Sequence, residues 1–140
     1  MRTHIGFSLM ELIIVMAIIA ILVTAAIPSF QIYTRRAHYT EIIESILPYR
    51  IGVEECFALT GGLNHCQNNQ NGVPPTLTYP SSSDHLIHNI TVNTHGIITA
   101  TPSNHYGILS KDTYILTPHI DENHLIWHSS GGAVAAGYAH

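Results

Sequence analysis

FSLMELIIVMAIIAILVTAAI, residues Phe7–Ile27, is the stretch that decides the architecture of this 140-residue chain. At about 1.5 Å of rise per residue, a helix over this run would be roughly 31 Å long, close to the hydrocarbon thickness of a bilayer. The polar leader MRTHIG precedes it and Pro28 closes it. Glu11 lies inside the run, although a carboxylate at the bilayer centre costs about 2.5–3.5 kcal/mol. The run is therefore either an anchor that tolerates a costly residue or a membrane segment with a second role.

Neither common type of N-terminal signal accounts for Glu11. A secretory signal peptide fits poorly, because the apolar run is longer than a typical h-region and no small-residue cleavage site clearly follows it. Residues 24–26 are a weak candidate for such a site. A signal anchor fits better, with Arg2 on the cytoplasmic side of the membrane. Both interpretations leave the carboxylate unexplained.

The residues GFSLMELIIVMAIIAIL, Gly6–Leu22, together with Pro28, resemble the prepilin signature of type IV pilins. In that family a membrane peptidase cuts after the glycine on the cytoplasmic side and N-methylates the new terminal residue. The resemblance implies that the leader, residues 1–6, is removed between Gly6 and Phe7, and that Phe7 becomes the methylated N-terminus. The short leader and the phenylalanine are similar to those of the type IVa subclass.

The resemblance also implies a role in assembly for Glu11. In pilins the apolar helices pack together in the filament centre, where the N-terminal amine of one subunit can meet this carboxylate on a neighbour. Pairing offsets part of the cost of two buried charges, so we expect it to set the register of the subunits more than their stability. The residues alone leave an alternative, a glutamate tolerated near a helix end by snorkelling or protonation.

A second apolar pattern follows Pro28. Spacings of three and four predict one buried helical stripe, formed by Tyr39, Ile42, Ile46, Tyr49, Val53 and Cys56. Leu47 and Ile51 make the opposite face partly apolar, which suits a subunit that packs against copies of itself. We predict one long helix over residues 7–59, kinked at Pro28 and Pro48, as in type IVa pilins. The alternative is a second helix that begins at Pro48.

Residues 60–140 predict a globular head that begins with a polar loop rich in Asn, Pro and Ser. In an exported chain Cys56 and Cys66 are expected to form a disulfide, which would pin this loop to the helix and stabilise the head by roughly 3 kcal/mol. A reduced pair is the alternative. CFALTGGLNHC followed by NGVPP resembles one subgroup of pilins. Because no cysteine follows Cys66, properties tied to a C-terminal cysteine loop do not carry over.

Four β-prone runs predict an antiparallel sheet laid on the helix stripe. They are residues 90–92, 97–100, 113–120 and 124–129. Pro118 lacks a backbone donor, so we expect the third run to be an edge strand or to end early. The tail SSGGAVAAGYAH is expected to be flexible and on the surface. The predicted fold class is α+β: a long kinked N-terminal helix on a four-stranded antiparallel sheet, as in the pilin fold.

The charged residues exclude several functions. A net charge of −4 with five Lys and Arg argues against a constitutive binder of nucleic acid or anionic membranes near neutral pH. Eleven histidines would add positive charge in mild acid, which predicts binding of DNA or acidic surfaces under those conditions.

The histidines invite a comparison with metal sites. The candidates are His85, His88, His119, His124 and His128. No acidic residue or cysteine completes a familiar ligand spacing around them, so solvent-facing histidines are the better interpretation. No catalytic constellation or cofactor loop is present either. We therefore predict no enzyme activity, no cofactor and no metal site.

The resemblance implies a structural subunit of a type IV pilus, and more specifically a major pilin, with roles in adhesion, twitching motility and DNA uptake. Its implied partners are copies of itself, the prepilin peptidase and the assembly machinery, while DNA or a host surface stays open as a ligand. Before assembly the bacterial inner membrane would hold the subunit, with its head in the periplasm.

Three alternatives remain. A type II secretion pseudopilin shares the N-terminal motif, but such proteins often bind calcium through acidic residues near the C-terminus, and here the last acidic residue is Glu122. A minor competence pilin that binds DNA would need a basic stripe, whereas Lys111 is the single Lys or Arg after residue 60. The third alternative is an anchored protein with no role in assembly.

Overall fold

The structure, a computed structural model, describes residues 6–80 and 84–140, apart from the Pro28 side chain. A long N-terminal helix precedes five strands and a short C-terminal helix. These elements are α1 (Leu9–Thr60), β1 (Leu77–Thr78), β2 (Ile87–Val92), β3 (Ile98–Pro102), β4 (Tyr114–Asp121), β5 (His124–Ser130) and α2 (Gly132–Ala135). The predicted α+β class is confirmed. Apart from Gly6, the predicted leader lies outside the described residues.

α1 is one helix, so a second helix does not begin at Pro48. Pro48 lies on the exposed face of α1, between buried Ile46 and buried Tyr49. The carbonyl that loses its helical donor, on exposed Glu44, can therefore bond to water instead. The Pro28 side chain lies outside the described part of the structure, so the kink expected there stays a prediction. By its internal contacts the chain forms two compact units, Met1–Thr34 and Arg35–His140.

The sheet has five strands in the order β1-β2-β3-β4-β5, with every neighbouring pair antiparallel. All four predicted strands are present, but the predicted strand number is one too low. The additional strand, β1, consists of two residues inside the polar loop and pairs Leu77 with Ile90 and Thr78 with Asn89. A strand this short carries no alternating pattern, so the sequence did not indicate it.

The expectation that Pro118 marks an edge strand, or one that ends early, is wrong. β4 lies between β3 and β5 and continues to Asp121. Only residues 114–116 of β4 pair with β3, however, and Pro118 pairs with Trp127 of β5 beyond the end of β3. The sheet therefore accommodates the proline where β4 has a partner on one side alone.

The predicted stripe on α1 is the helical side of the head's core. Its members, Tyr39, Ile42, Ile46, Tyr49, Val53 and Cys56, are each at most 6% exposed. They pack with apolar residues of the sheet, among them Ile90 and Ile98. Tyr39 donates a hydrogen bond to the Asp112 carbonyl (2.6 Å) and Tyr49 donates one to the Pro75 carbonyl (3.0 Å). Because of burial, the pKa of both hydroxyls is raised.

The C-terminal tail is ordered against the head, which corrects the expected flexible surface segment. Ala133 of α2 and Ala139 belong to the core, at 0% and 3% exposure. Gly131 has φ 107°, and a Cβ on Gly131 or Gly132 would clash with backbone oxygens of the segment that leads into β4. Small residues thus permit a close backbone approach, and the composition that suggested flexibility is the one that close packing requires.

Candidate assembly surface

The N-terminal unit, Met1–Thr34, contains no buried residue among those that the structure describes. Each large apolar side chain between Phe7 and Tyr33 is at least 43% exposed. By length and composition alone, α1 is able to cross a membrane. Covering one such side chain fully is worth about 1.5–3 kcal/mol, so a helix that is apolar on all sides is stable only in lipid or against other protein.

The predicted cleavage point lies outside regular structure. Gly6, Phe7 and Ser8 precede α1 without helical or strand conformation, and Phe7 is 80% exposed. A Cβ on Gly6 would meet no heavy atom within 4 Å. The Gly6–Phe7 bond is therefore accessible to a protease, since proteases cut exposed segments that are not held in secondary structure.

Glu11 lies exposed in the first turn of α1. A carboxylate there interacts favourably with the positive end of the helix dipole, by about 0.3–1 kcal/mol. The spacing Ser8-x-x-Glu11 also matches a capping box, in which a Glu or Gln at the fourth position satisfies a free backbone donor. This local role was not among the predictions for Glu11, and it needs no neighbouring subunit. Any test of Glu11 must therefore separate its charge from its capping ability.

In the head, Cys56 and Cys66 form a disulfide with a Cα–Cα distance of 5.7 Å, and both residues are fully buried. The loop that follows is held by Asn68, a residue that no sequence motif marks. Its side-chain oxygen accepts from the Val92 amide (2.6 Å), and its side-chain nitrogen donates to the Pro74 carbonyl (2.9 Å). The loop is thus fixed to α1 by the disulfide and to β2 by one asparagine.

Gly52 explains how this loop crosses α1. A Cβ at Gly52 would lie 2.8 Å from the Gly72 carbonyl oxygen and 2.8 Å from the Pro74 ring. A glycine in a helix interior is unfavourable by about 1 kcal/mol relative to alanine. The sequence contains the signal, an isolated glycine in a helical pattern, but only the structure identifies the loop that needs the space.

The exposed face of α1 in the head carries the apolar residues that the sequence predicted there. Leu47 and Ile51, the two residues predicted there, are each 54% exposed. On the flank of this face, Glu54 accepts bonds from Arg50 (3.1 Å) and from the Trp127 indole (2.9 Å). This face is therefore free to contact another molecule, while Arg50 and Glu54 on its flank are engaged within the chain.

The candidate histidines do not converge on one site. His85 stacks on Tyr79, His124 lies 3.6 Å from Asp121, and His119 contacts His128. His88 lies in β2, next to an irregularity in the β2–β3 pairing, and its carbonyl accepts a bond from the Tyr79 amide (2.8 Å). Among residues 6–80 and 84–140, no group of three His, Cys, Asp or Glu side chains could hold a metal ion.

Comparison with known proteins agrees with this arrangement. The family model described as the prokaryotic N-terminal methylation motif matches residues 1–27. The chain is 46% identical over 74 residues to the prepilin peptidase-dependent protein D of Escherichia coli, covering 52% of this chain and 51% of that protein. It is 40% identical over 75 residues to the type IV pilus subunit protein TapA of Aeromonas hydrophila, covering 54% and 53%.

A similar structure is also known. The solution structure of the major type IV pilin PpdD from enterohemorrhagic Escherichia coli matches with a TM-score of 0.53 and 26% identity, over 70% of this chain and 69% of that one. The chain spans about half the length of the curated relatives that it matches. The N-terminal motif, the relatives and the solved structure thus agree on one family and one fold.

Proposed function

Since the chain belongs to the type IV pilin family, whose members are structural subunits and not enzymes, we propose that it is the major subunit of a type IV pilus. One observation carries the proposal: every large apolar side chain from Phe7 to Tyr33, on all sides of the N-terminal half of α1, is exposed. Such a surface needs lipid before assembly and copies of itself afterwards. The inner membrane would store the subunit with its head in the periplasm, and the filament would replace lipid by neighbouring helices.

Processing is the first step of this proposal. The peptidase cuts the exposed Gly6–Phe7 bond and methylates Phe7, which frees an amine next to the first turn of α1. Intact-mass spectrometry of membrane-extracted protein tests the step, and the expected mass shows loss of residues 1–6 and one added methyl group. A full-length mass, or cleavage after residues 24–26, would contradict it.

Glu11 has its role in the next step. In the filament its carboxylate pairs with the Phe7 amine of a neighbouring subunit, because each charge would otherwise lie unpaired among apolar side chains. A subunit shifted along the filament loses the pair at both ends, so the pair specifies register. Leu47 and Ile51 extend the contact between subunits along the exposed face of the head half of α1.

A shearing experiment separates the major pilin from its rivals. Vigorous shearing of intact cells should release this chain as abundant extracellular filament, composed almost wholly of the processed form. A pseudopilin or a minor pilin would stay with the cells or appear as a trace in filaments of another subunit. Finding the processed chain only in the membrane fraction would reject the major-pilin proposal and leave the family assignment intact.

A further inference from the structure

We propose that His119 and His128, on the outer face of the β4–β5 hairpin, form a two-histidine chelate for an exchangeable divalent transition-metal ion, with Cu²⁺ preferred. This site goes beyond the proposed filament function, and the single-chain structure contains both ligands. The sequence alone favoured solvent-facing histidines, because it could not tell which of them meet across the hairpin.

Strand register brings the two histidines together. Thr117 pairs with His128 and His119 pairs with Ile126, so His119 and His128 are diagonal neighbours on one face of the sheet. Long side chains reach each other across such a diagonal. β4 and β5 pair without a break from Ile115–Ser130 to Asp121–His124, so the backbone on both sides of His119 and of His128 is held in the sheet. The site therefore lies on rigid strands and not on a mobile loop.

The separation of the two rings suits a shared ion. Their centroids are 4.9 Å apart and their planes are perpendicular. A metal–nitrogen bond of about 2.0–2.1 Å places each ring centre about 3.2 Å from the ion, so two rings at 90–109° around it would lie about 4.5–5.2 Å apart. The observed distance falls inside this interval.

Both rings are available for this purpose. His119 and His128 are exposed, and among the described residues each has the other as its ring contact, with no ion pair or hydrogen bond. The next histidine on this face, His124, is engaged by Asp121. An ion can therefore reach the pair from solvent without any opening of the fold.

The ligand set selects the type of metal. Imidazole suits Cu²⁺, Ni²⁺ and Zn²⁺ rather than Mg²⁺ or Ca²⁺, and for a given nitrogen site Cu²⁺ binds most tightly among the divalent first-row metals. No third ligand is available among the described residues. Water or a small ligand would fill the remaining positions, so the ion should exchange.

Copper titration of the full chain tests the proposal without requiring filaments. The untagged protein in detergent micelles is titrated with Cu²⁺ against glycine as a competing chelator, and electron paramagnetic resonance counts the nitrogens bound to copper. We expect His119→Gln and His128→Gln each to weaken Cu²⁺ binding by about tenfold or more, because the second ligand acts intramolecularly. The nitrogen count at the first equivalent should fall from two to one.

Two matched variants complete the experiment. His95→Gln, at an exposed turn between β2 and β3, and His124→Gln, on the same hairpin, should both keep the wild-type affinity and nitrogen count. Thermal unfolding of each variant shows that its fold is intact. Wild-type affinity in His119→Gln or His128→Gln, or an equal loss in His95→Gln, would overturn the proposal.

Discussion

The two halves of α1 differ in what covers their apolar side chains. From residue 39 to residue 56 the helix buries one stripe at 6% exposure or less against its own sheet. From residue 9 to residue 33 every large apolar side chain is at least 43% exposed, and no described residue is buried. One secondary structure thus serves two purposes. The head half completes a fold within the chain, whereas the N-terminal half needs lipid or other subunits.

Glu11→Gln is expected to have the largest effect, and this effect should be on filament assembly and not on the stability of the head. Glutamine keeps the capping ability at this position but removes the charge. If the carboxylate pairs with a neighbour's amine, the variant leaves that amine unpaired at a cost of about 3–5 kcal/mol per subunit, and sheared filament should be lost. The free energy of unfolding of the head should not change.

Glu122→Gln, an exposed substitution in the turn between β4 and β5, is the control for charge. It should leave the filament yield at the wild-type level. Wild-type filament yield in Glu11→Gln would support the snorkelling interpretation of Glu11 and remove the proposed register contact.

The next effect concerns the head half, where adjacent residues face opposite ways. Ile46 is 1% exposed and Leu47 is 54% exposed. Ile46→Ala should lower the free energy of unfolding by about 2–5 kcal/mol, because it leaves a cavity in the core. Leu47→Ala should change it by less than about 0.5 kcal/mol. Denaturant unfolding of the micellar protein measures both values, and equal losses would contradict the one-sided burial of this half.

The disulfide should affect the head and leave the apolar half unchanged. Replacing Cys56 and Cys66 together by alanine removes the cross-link between α1 and the polar loop. We expect the free energy of unfolding to fall by roughly 3 kcal/mol, while membrane extraction of the protein stays normal. Reduction of the wild-type protein should give a similar loss. An unchanged unfolding midpoint after reduction would show that the Asn68 contacts alone hold the loop.

The smallest expected effect is a loss of stability at alkaline pH, caused by ionisation of the buried Tyr39. Burial, with Asp112 nearby, raises the pKa of Tyr39 above its ordinary value of 10.0. Stabilisation by the neutral hydroxyl is therefore complete below about pH 10 and lost as pH rises above it, by at most about 1.4 kcal/mol per pH unit. Tyr39→Phe should flatten this slope, although Tyr49 and Tyr114 also have raised pKa values. A slope identical to that of wild type would refute the assignment to Tyr39.

Periodic and motif-bearing features were predictable from sequence. The stripe from Tyr39 to Cys56 repeats at helical spacing, and a helix with such a stripe has one way to bury it. The run Gly6–Leu22 carries its family resemblance in consecutive residues. β1, the path of β4 and the packed tail were not predictable, because each depends on partners distant in sequence. From local propensity Pro118 predicts an edge strand, but β4 lies between two strands. Likewise Gly131 and Gly132 predict a flexible tail, but they allow the tail to pack closely.

The apolar N-terminal half of the helix, the buried stripe and the resemblance to pilins are predictable from the amino-acid sequence, because each depends on consecutive or regularly spaced residues. Three features depend on contacts between distant residues: the strand pairing beside Pro118, the need for Gly52 under the polar loop, and the two histidines that meet on the hairpin. For the histidines, the register of the two strands is decisive. A shift of one residue between β4 and β5 would move His119 and His128 to opposite faces of the sheet without changing any local propensity.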